Sequence, residues 1–261
     1  MGETWRGFWV VGYREVLRFL GDRARLGSSL LMPLLFLVIF GAGFSRSIGA
    51  LAPGVNYIQF MFPGIVGMTV LMNSLFAGIS VVADKEFGFL KEILVAPISR
   101  TGIVLGKAAG GSGVALIQAF LLLLFAPLVG VALSPRIVLL LIPVTILLSL
   151  GLSGLGILIA SFIASQQGFQ LIIQVLIVPL MFLAGVFFPT NNVPTWMEII
   201  TKLNPLTYGV DAIRQIFLGS GRGLGVTLFG HVATLGSEVL LIACISIVLL
   251  TAAVLAFESQ S

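Results

Sequence analysis

Charge is what this chain has least of. Only 9% of its 261 residues are Asp, Glu, Lys or Arg, and 58% are hydrophobic. A soluble domain carries roughly a quarter charged residues, so a chain of this composition has too little polar surface for water and its solvent is lipid. There is one cysteine, Cys244, inside the last apolar run. That excludes an internal disulfide, and the residue reads as a small apolar side chain. The one histidine, His231, has no clustered ligand beside it and reads as a headgroup contact, so no metal site is expected. No nucleophile–base pair stands out, and no catalytic residue is assigned. The basic excess is small, +4, and lies at the edges of apolar runs, which does not suggest nucleic acid. The basic leader is too long for the n-region of a cleavable signal, although Gly41-Ala42-Gly43 offers a weak small-residue site; the first span reads as an uncleaved anchor.

What is present is a series of long apolar runs. Six are long enough to cross a bilayer, at roughly 26–44, 57–83, 101–127, 137–164, 169–188 and 235–257. Ahead of them, within residues 1–25, Trp5, Phe8, Trp9, Val16, Phe19 and Leu20 keep helical spacing, with Arg14, Glu15, Arg18 and Asp22 on the other face. That pattern predicts an amphipathic helix lying at the membrane interface. Gly102, Gly106 and Gly110 repeat every four residues and predict close approach of another helix in the same subunit. Gly102-Ile-Val-Leu-Gly106-Lys107-Ala108 looks like a phosphate loop but is one residue short and lacks the hydroxyl needed for magnesium. Between Pro189 and the last run, Pro194 and Pro205 suit first-turn positions and predict two short helices within about 193–218. Both are too short and polar to span, so they dip into the outer leaflet. Arg6, Arg14, Arg18, Arg23 and Arg25 in the leader, with Lys85, Lys91, Arg100 and Lys107, outweigh Arg46, Arg136, Lys202, Arg214 and Arg222 on the other side. This bias places both termini in the cytoplasm. The fold class expected is therefore an all-α polytopic membrane protein, with residues 26–261 forming one six-span domain.

The densest charge between two spans is Asp84-Lys-Glu-Phe-Gly-Phe-Leu-Lys-Glu-Ile-Leu-Val-Ala-Pro-Ile-Ser-Arg100. Phe87, Leu90 and Leu94 share one helical face, with Asp84, Lys91 and Glu92 opposite, so a short amphipathic helix over 84–97 is expected. Pro97 disfavours its continuation, and Ser99 is placed to cap the next helix. From charge alone a solvated loop is an equal reading. The order of Glu86, Gly88, Leu94, Pro97, Ser99 and Arg100 resembles the cytoplasmic coupling segment of type-2 ABC exporter permeases, with two departures. Phe89 stands where Thr is common, and Lys91 where Glu is often found. The resemblance implies that Glu86, Phe87, Gly88, Phe89, Leu90, Lys91, Glu92, Pro97, Ser99 and Arg100 contact a separate ATPase subunit. ATP and magnesium would then be bound by that subunit, and this chain would hold no cofactor. It also implies a second permease, identical or paralogous, beside membrane lipid.

The outer segment Asn204-Pro205-Leu-Thr-Tyr208-Gly-Val-Asp211-Ala-Ile-Arg214 resembles the same family before its last span. Asn204, Pro205, Tyr208, Asp211 and Arg214 form a candidate outer gate, with a structural cap as the equal alternative. Asp211 and Arg214 are three apart and spaced to pair. Asn73, Gln118, Gln170 and Gln174 are polar within spans and are candidate path residues, although interhelical hydrogen bonding is the commoner use of such groups. The function these readings point to is the permease subunit of an ABC exporter, multi-pass in the cell membrane. Its cargo would be an amphipathic drug, a lipid or a lipid-linked saccharide. The alternative is an ion-coupled secondary transporter. It needs buried acids or bases, and spans two to five show none by sequence, while Glu238 stands near the edge of the last span. A membrane-embedded enzyme would need a catalytic cluster, and none was found.

Overall fold

The computed structural model describes residues 2–44, 56–88, 99–131, 133–190, 193–219, 227–228 and 231–259. They form an all-α polytopic protein, with six helices long and apolar enough to cross a membrane among the described residues. Helix α1 (Gly2–Gly21) is followed by α2 (Arg23–Phe44). Helices α3 (Tyr57–Phe76) and α4 (Ile79–Glu86) together make one 30-residue span. Next come α5 (Arg100–Leu123), α6 (Pro135–Ser161) and α7 (Gln166–Leu183). Two short helices, α8 (Thr195–Leu203) and α9 (Pro205–Leu218), precede the last span, α10 (Leu235–Glu258). A two-residue antiparallel pair, Thr227–Leu228 with His231–Val232, is the one sheet contact among the described residues.

Helix starts follow from local chemistry. Ser99, Ser134 and Ser165 each accept a backbone N–H at the start of α5, α6 and α7, and Thr234 and Ser237 form a reciprocal capping box on α10. Pro135 and Pro205 occupy first positions, where the missing N–H costs nothing.

In cross-section, α3–α4, α5 and α6 are the inner helices, and α2, α7 and α10 leave most of their surface open. Between apolar helices in lipid, packing rather than water exclusion drives association, so small residues mark the contacts. Gly78, at the α3–α4 junction, faces the Gly156 backbone of α6, and Gly156 faces Leu75. On the other side of α6, Gly151 meets Ser246 and Gly154 meets the backbone of Leu249 and Leu250 on α10. Ser246 Oγ donates to the Leu147 carbonyl at 2.8 Å, and Ser112 and Ser149 share a 2.6 Å hydrogen bond between α5 and α6. The glycines of α5 receive α1: Gly106 lies against Gly7, Phe8 and Val11, and Gly110 against Gly12 and Glu15. Trp5 and Trp9 stay exposed on the far side of α1, while Phe19 is fully buried.

Candidate functional site

Asp84, Lys85 and Glu86 form the last turn of α4, and the helix stops at Phe87. Gly88 then turns with φ +76°, in the left-handed region where a side chain is strained. The expected helix over 84–97 therefore has its first three residues inside the preceding span. Phe89, Leu90, Lys91, Glu92 and Pro97 lie outside the described residues.

Each of those three charged residues is tied to a different helix. Asp84 Oδ2 meets Lys107 Nζ of α5 at 2.6 Å, and the same ammonium donates to Ser80 Oγ at 3.0 Å. Lys85 Nζ donates to the last carbonyls of α6, Ser161 at 2.7 Å and Ala160 at 3.3 Å. Glu86 Oε2 accepts the first amide of α7, Gln166 N at 3.1 Å, and its side-chain Nε2 at 3.0 Å. A cation at a helix C-terminus and an anion at a helix N-terminus complement both the orphan backbone groups and the helix dipoles. On the far side, Ser99 caps α5, Arg100 Nη1 donates to the Glu258 carbonyl at 3.1 Å, and Thr101 Oγ1 donates to Glu258 Oε1 at 3.2 Å. Residues 87–99 are thus bracketed by bonds to the near ends of α5, α6, α7 and α10. Phe87 is 66% exposed at the point where the chain leaves α4.

The expectation that spans two to five hold no buried acid or base does not stand. Lys107 is 3% exposed within α5. Its partners, Ser80 and Asp84, are four apart on one face of α4, and that spacing was the available sequence signal. Glu238 is not at an exposed edge either. It is fully buried because α9 packs over the first turn of α10.

The candidate gate residues converge. Asn204 caps Leu206 N and donates to the Leu180 carbonyl at 2.7 Å, and Tyr208 Oη donates to the Lys202 carbonyl at 2.6 Å. Arg214 donates to the Gly185 carbonyl at 2.6 Å, with its guanidinium 4.0 Å from the centre of the Phe60 ring. Asp211 and Glu238 are both buried, and Glu238 Oε2 accepts from Gln215 Nε2 at 3.0 Å. Glu238 and Gln215 are the members of this cluster that sequence reasoning missed. Of the four path candidates, Asn73 and Gln118 are hydrogen-bonded to each other across α3 and α5, and Asn73 also donates to the Thr69 carbonyl at 2.7 Å. Gln170 and Gln174 sit apart from them, exposed on α7. Among the described residues no group of three or more His, Cys, Asp or Glu is placed to hold a metal.

Six helices long and apolar enough to span, four of them bonded to the residues that flank 87–99, define a polytopic membrane protein. The family profile described as "ABC-2 type transporter" matches residues 6–218, and the chain belongs to that family. It is 35% identical over 205 residues to a putative transport permease, ycf38, of Cyanophora paradoxa, covering 77% of this chain and 71% of that one. It is 30% identical over 246 residues to the inner membrane transport permease YadH of Escherichia coli K12, covering 85% and 89%. It is also 30% identical over 170 residues to the probable multidrug ABC transporter permease YbhR of the same strain, covering 64% of this chain and 45% of YbhR. The chain is therefore a multi-pass membrane permease subunit of an ABC transporter.

Proposed function

We propose that this permease works in export, driven by a separate ATPase subunit that seats on residues 86–100. The observation that carries the reading is the bracketing of that segment. A push on Phe87 and its neighbours is passed through Lys107, Lys85, Glu86 and Arg100 into the ends of α5, α6, α7 and α10. In this arrangement Glu86 and Arg100 act first on their own chain, as fixed points from which the apolar side chains are offered. ATP and magnesium belong to the ATPase, and both termini lie with the coupling segment on the cytoplasmic face. The cargo class is an amphipathic drug, lipid or lipid-linked saccharide, in keeping with the printed description of YbhR. A second permease, identical or paralogous, is the remaining partner. Gln170 and Gln174 support it, since two exposed amides on a span are costly in lipid and find donors or acceptors at a helix interface.

The test is ATP hydrolysis in lipid by the chain purified with its candidate ATPase, comparing wild type with Glu86→Ala. Removal of the carboxylate frees the start of α7, and cargo-dependent hydrolysis falls while the permease stays folded. Unchanged hydrolysis would show that this anchor transmits nothing. The secondary-transporter reading keeps one observation in its favour, the burial of two acids, Asp211 and Glu238, together with Arg214. Transport that persists without ATP and follows a proton gradient would favour it.

A further inference from the structure

Two cavities meet at Asn73. One, of about 320 Å³, lies between α1, the α3–α4 junction and α5, and its polar lining includes Glu15, Arg18, Asp22, Ser80 and Lys107. The other, of about 430 Å³, lies between α2 and α3 and is lined mainly by Met32, Pro33, Met72 and Phe76. Asn73, Phe76 and Ile79 line both, so the polar vestibule runs into the apolar groove inside one protomer. Each volume falls within the range of about 300–1,000 Å³ typical of small-molecule sites. The groove is open to the lipid side, where Met32 is 57% exposed.

The vestibule's charges are not all held equally closely. Lys107 is neutralised by Asp84 at 2.6 Å, and at the mouth Arg18 and Asp22 carry opposite signs. Glu15 is held less closely: its Oε1 is buried and accepts no hydrogen bond, and its ion pair with the exposed Arg14 is 3.6 Å long, beyond hydrogen-bonding distance. A buried anionic acceptor without a donor is unfavourable, and a cationic donor entering the vestibule relieves it.

We propose that vestibule and groove are one binding site for a single-chain amphiphile whose polar end is a protonated amine. The amine sits at Glu15, and the chain passes Asn73 and lies along Met32 and Met72. Its meaning as a cargo-loading site rests on the transport reading, but binding is measured without ATP or ATPase, so the two can fail separately.

The probe is dodecylammonium, with dodecanoate and dodecanol as headgroup controls, on the chain in lipid nanodiscs. In a Cys244→Ser background, Asn73→Cys reports occupancy through its rate of reaction with N-ethylmaleimide. At dodecylammonium about ten times its Kd, labelling slows about tenfold. Dodecanoate and dodecanol leave it unchanged, and adding Glu15→Gln removes the protection. Ile79→Cys, which lines both cavities, serves as a second reporter should loss of the Asn73–Gln118 bond disturb folding. Gln174→Cys, exposed on α7, is the control for partitioning into the bilayer. Equal protection by all three amphiphiles, protection at Gln174→Cys, insensitivity to Glu15→Gln, or no protection at either reporter would each overturn the assignment.

Discussion

Replacing Lys107 with methionine leaves Asp84 without its cation, and the cost can be worked from the geometry. At 2.6 Å the pair attracts by about 6 kcal/mol at an effective dielectric of about 20. Taking the two charges out of water costs several kcal/mol per ion, so the intact pair contributes little net stability. A stranded partner is another matter, at about 3–5 kcal/mol for a buried pair broken on one side. Asp84 keeps 16% of its side chain exposed, which places the expected loss for Lys107→Met near 3 kcal/mol. With a shift of about 2–4 °C per kcal/mol for a chain of this size, the thermal midpoint drops by about 6–12 °C. The assay is light-scattering thermal denaturation of purified protein in one detergent, run as a double-mutant cycle with Asp84→Asn. The double variant, with neither member of the pair charged, recovers about 2 kcal/mol relative to Lys107→Met. A drop under about 2 °C, or a double variant no better than Lys107→Met, would refute the argument that Asp84 and Lys107 are charged and mutually dependent.

Gly156→Leu forces a side chain into the Leu75 backbone at the crossing of α6 with α3. Overpacking of this kind costs about 1–3 kcal/mol or more, and the expected result is loss of the monodisperse peak on size exclusion. Asn204→Ala removes the α9 cap and the bond to Leu180, which lowers the thermal midpoint by the equivalent of about 1–2 kcal/mol.

The spans were legible because apolar runs of that length have few alternatives, and Pro205 marks a helix start by chemistry alone. The glycine stripe of α5 predicted a close neighbour but not which one, since nothing in a periodicity identifies α1 as the partner. Lys107 was read as one of the basic residues that set orientation. Its pairing with Asp84, 23 residues earlier, depends on α4 and α5 lying side by side. Glu238 was misjudged for a related reason: its position in the first turn of a helix suggested an edge, and only the packing of α9 encloses it. The candidate coupling residues stand out by their order, yet the intrachain bonds of Lys85, Glu86 and Arg100 come from helix ends brought together in space. No local pattern encodes those.

The most direct test of the coupling claim places a photo-crosslinking amino acid at Phe87, which is exposed where the chain leaves α4, with Leu139 on α6, also exposed, as the control position. Irradiation in native membranes followed by mass spectrometry identifies what lies against each. The account predicts an ATP-binding cassette subunit crosslinked from Phe87 and absent from Leu139. Crosslinks from Phe87 only to lipid or to the chain itself would contradict it.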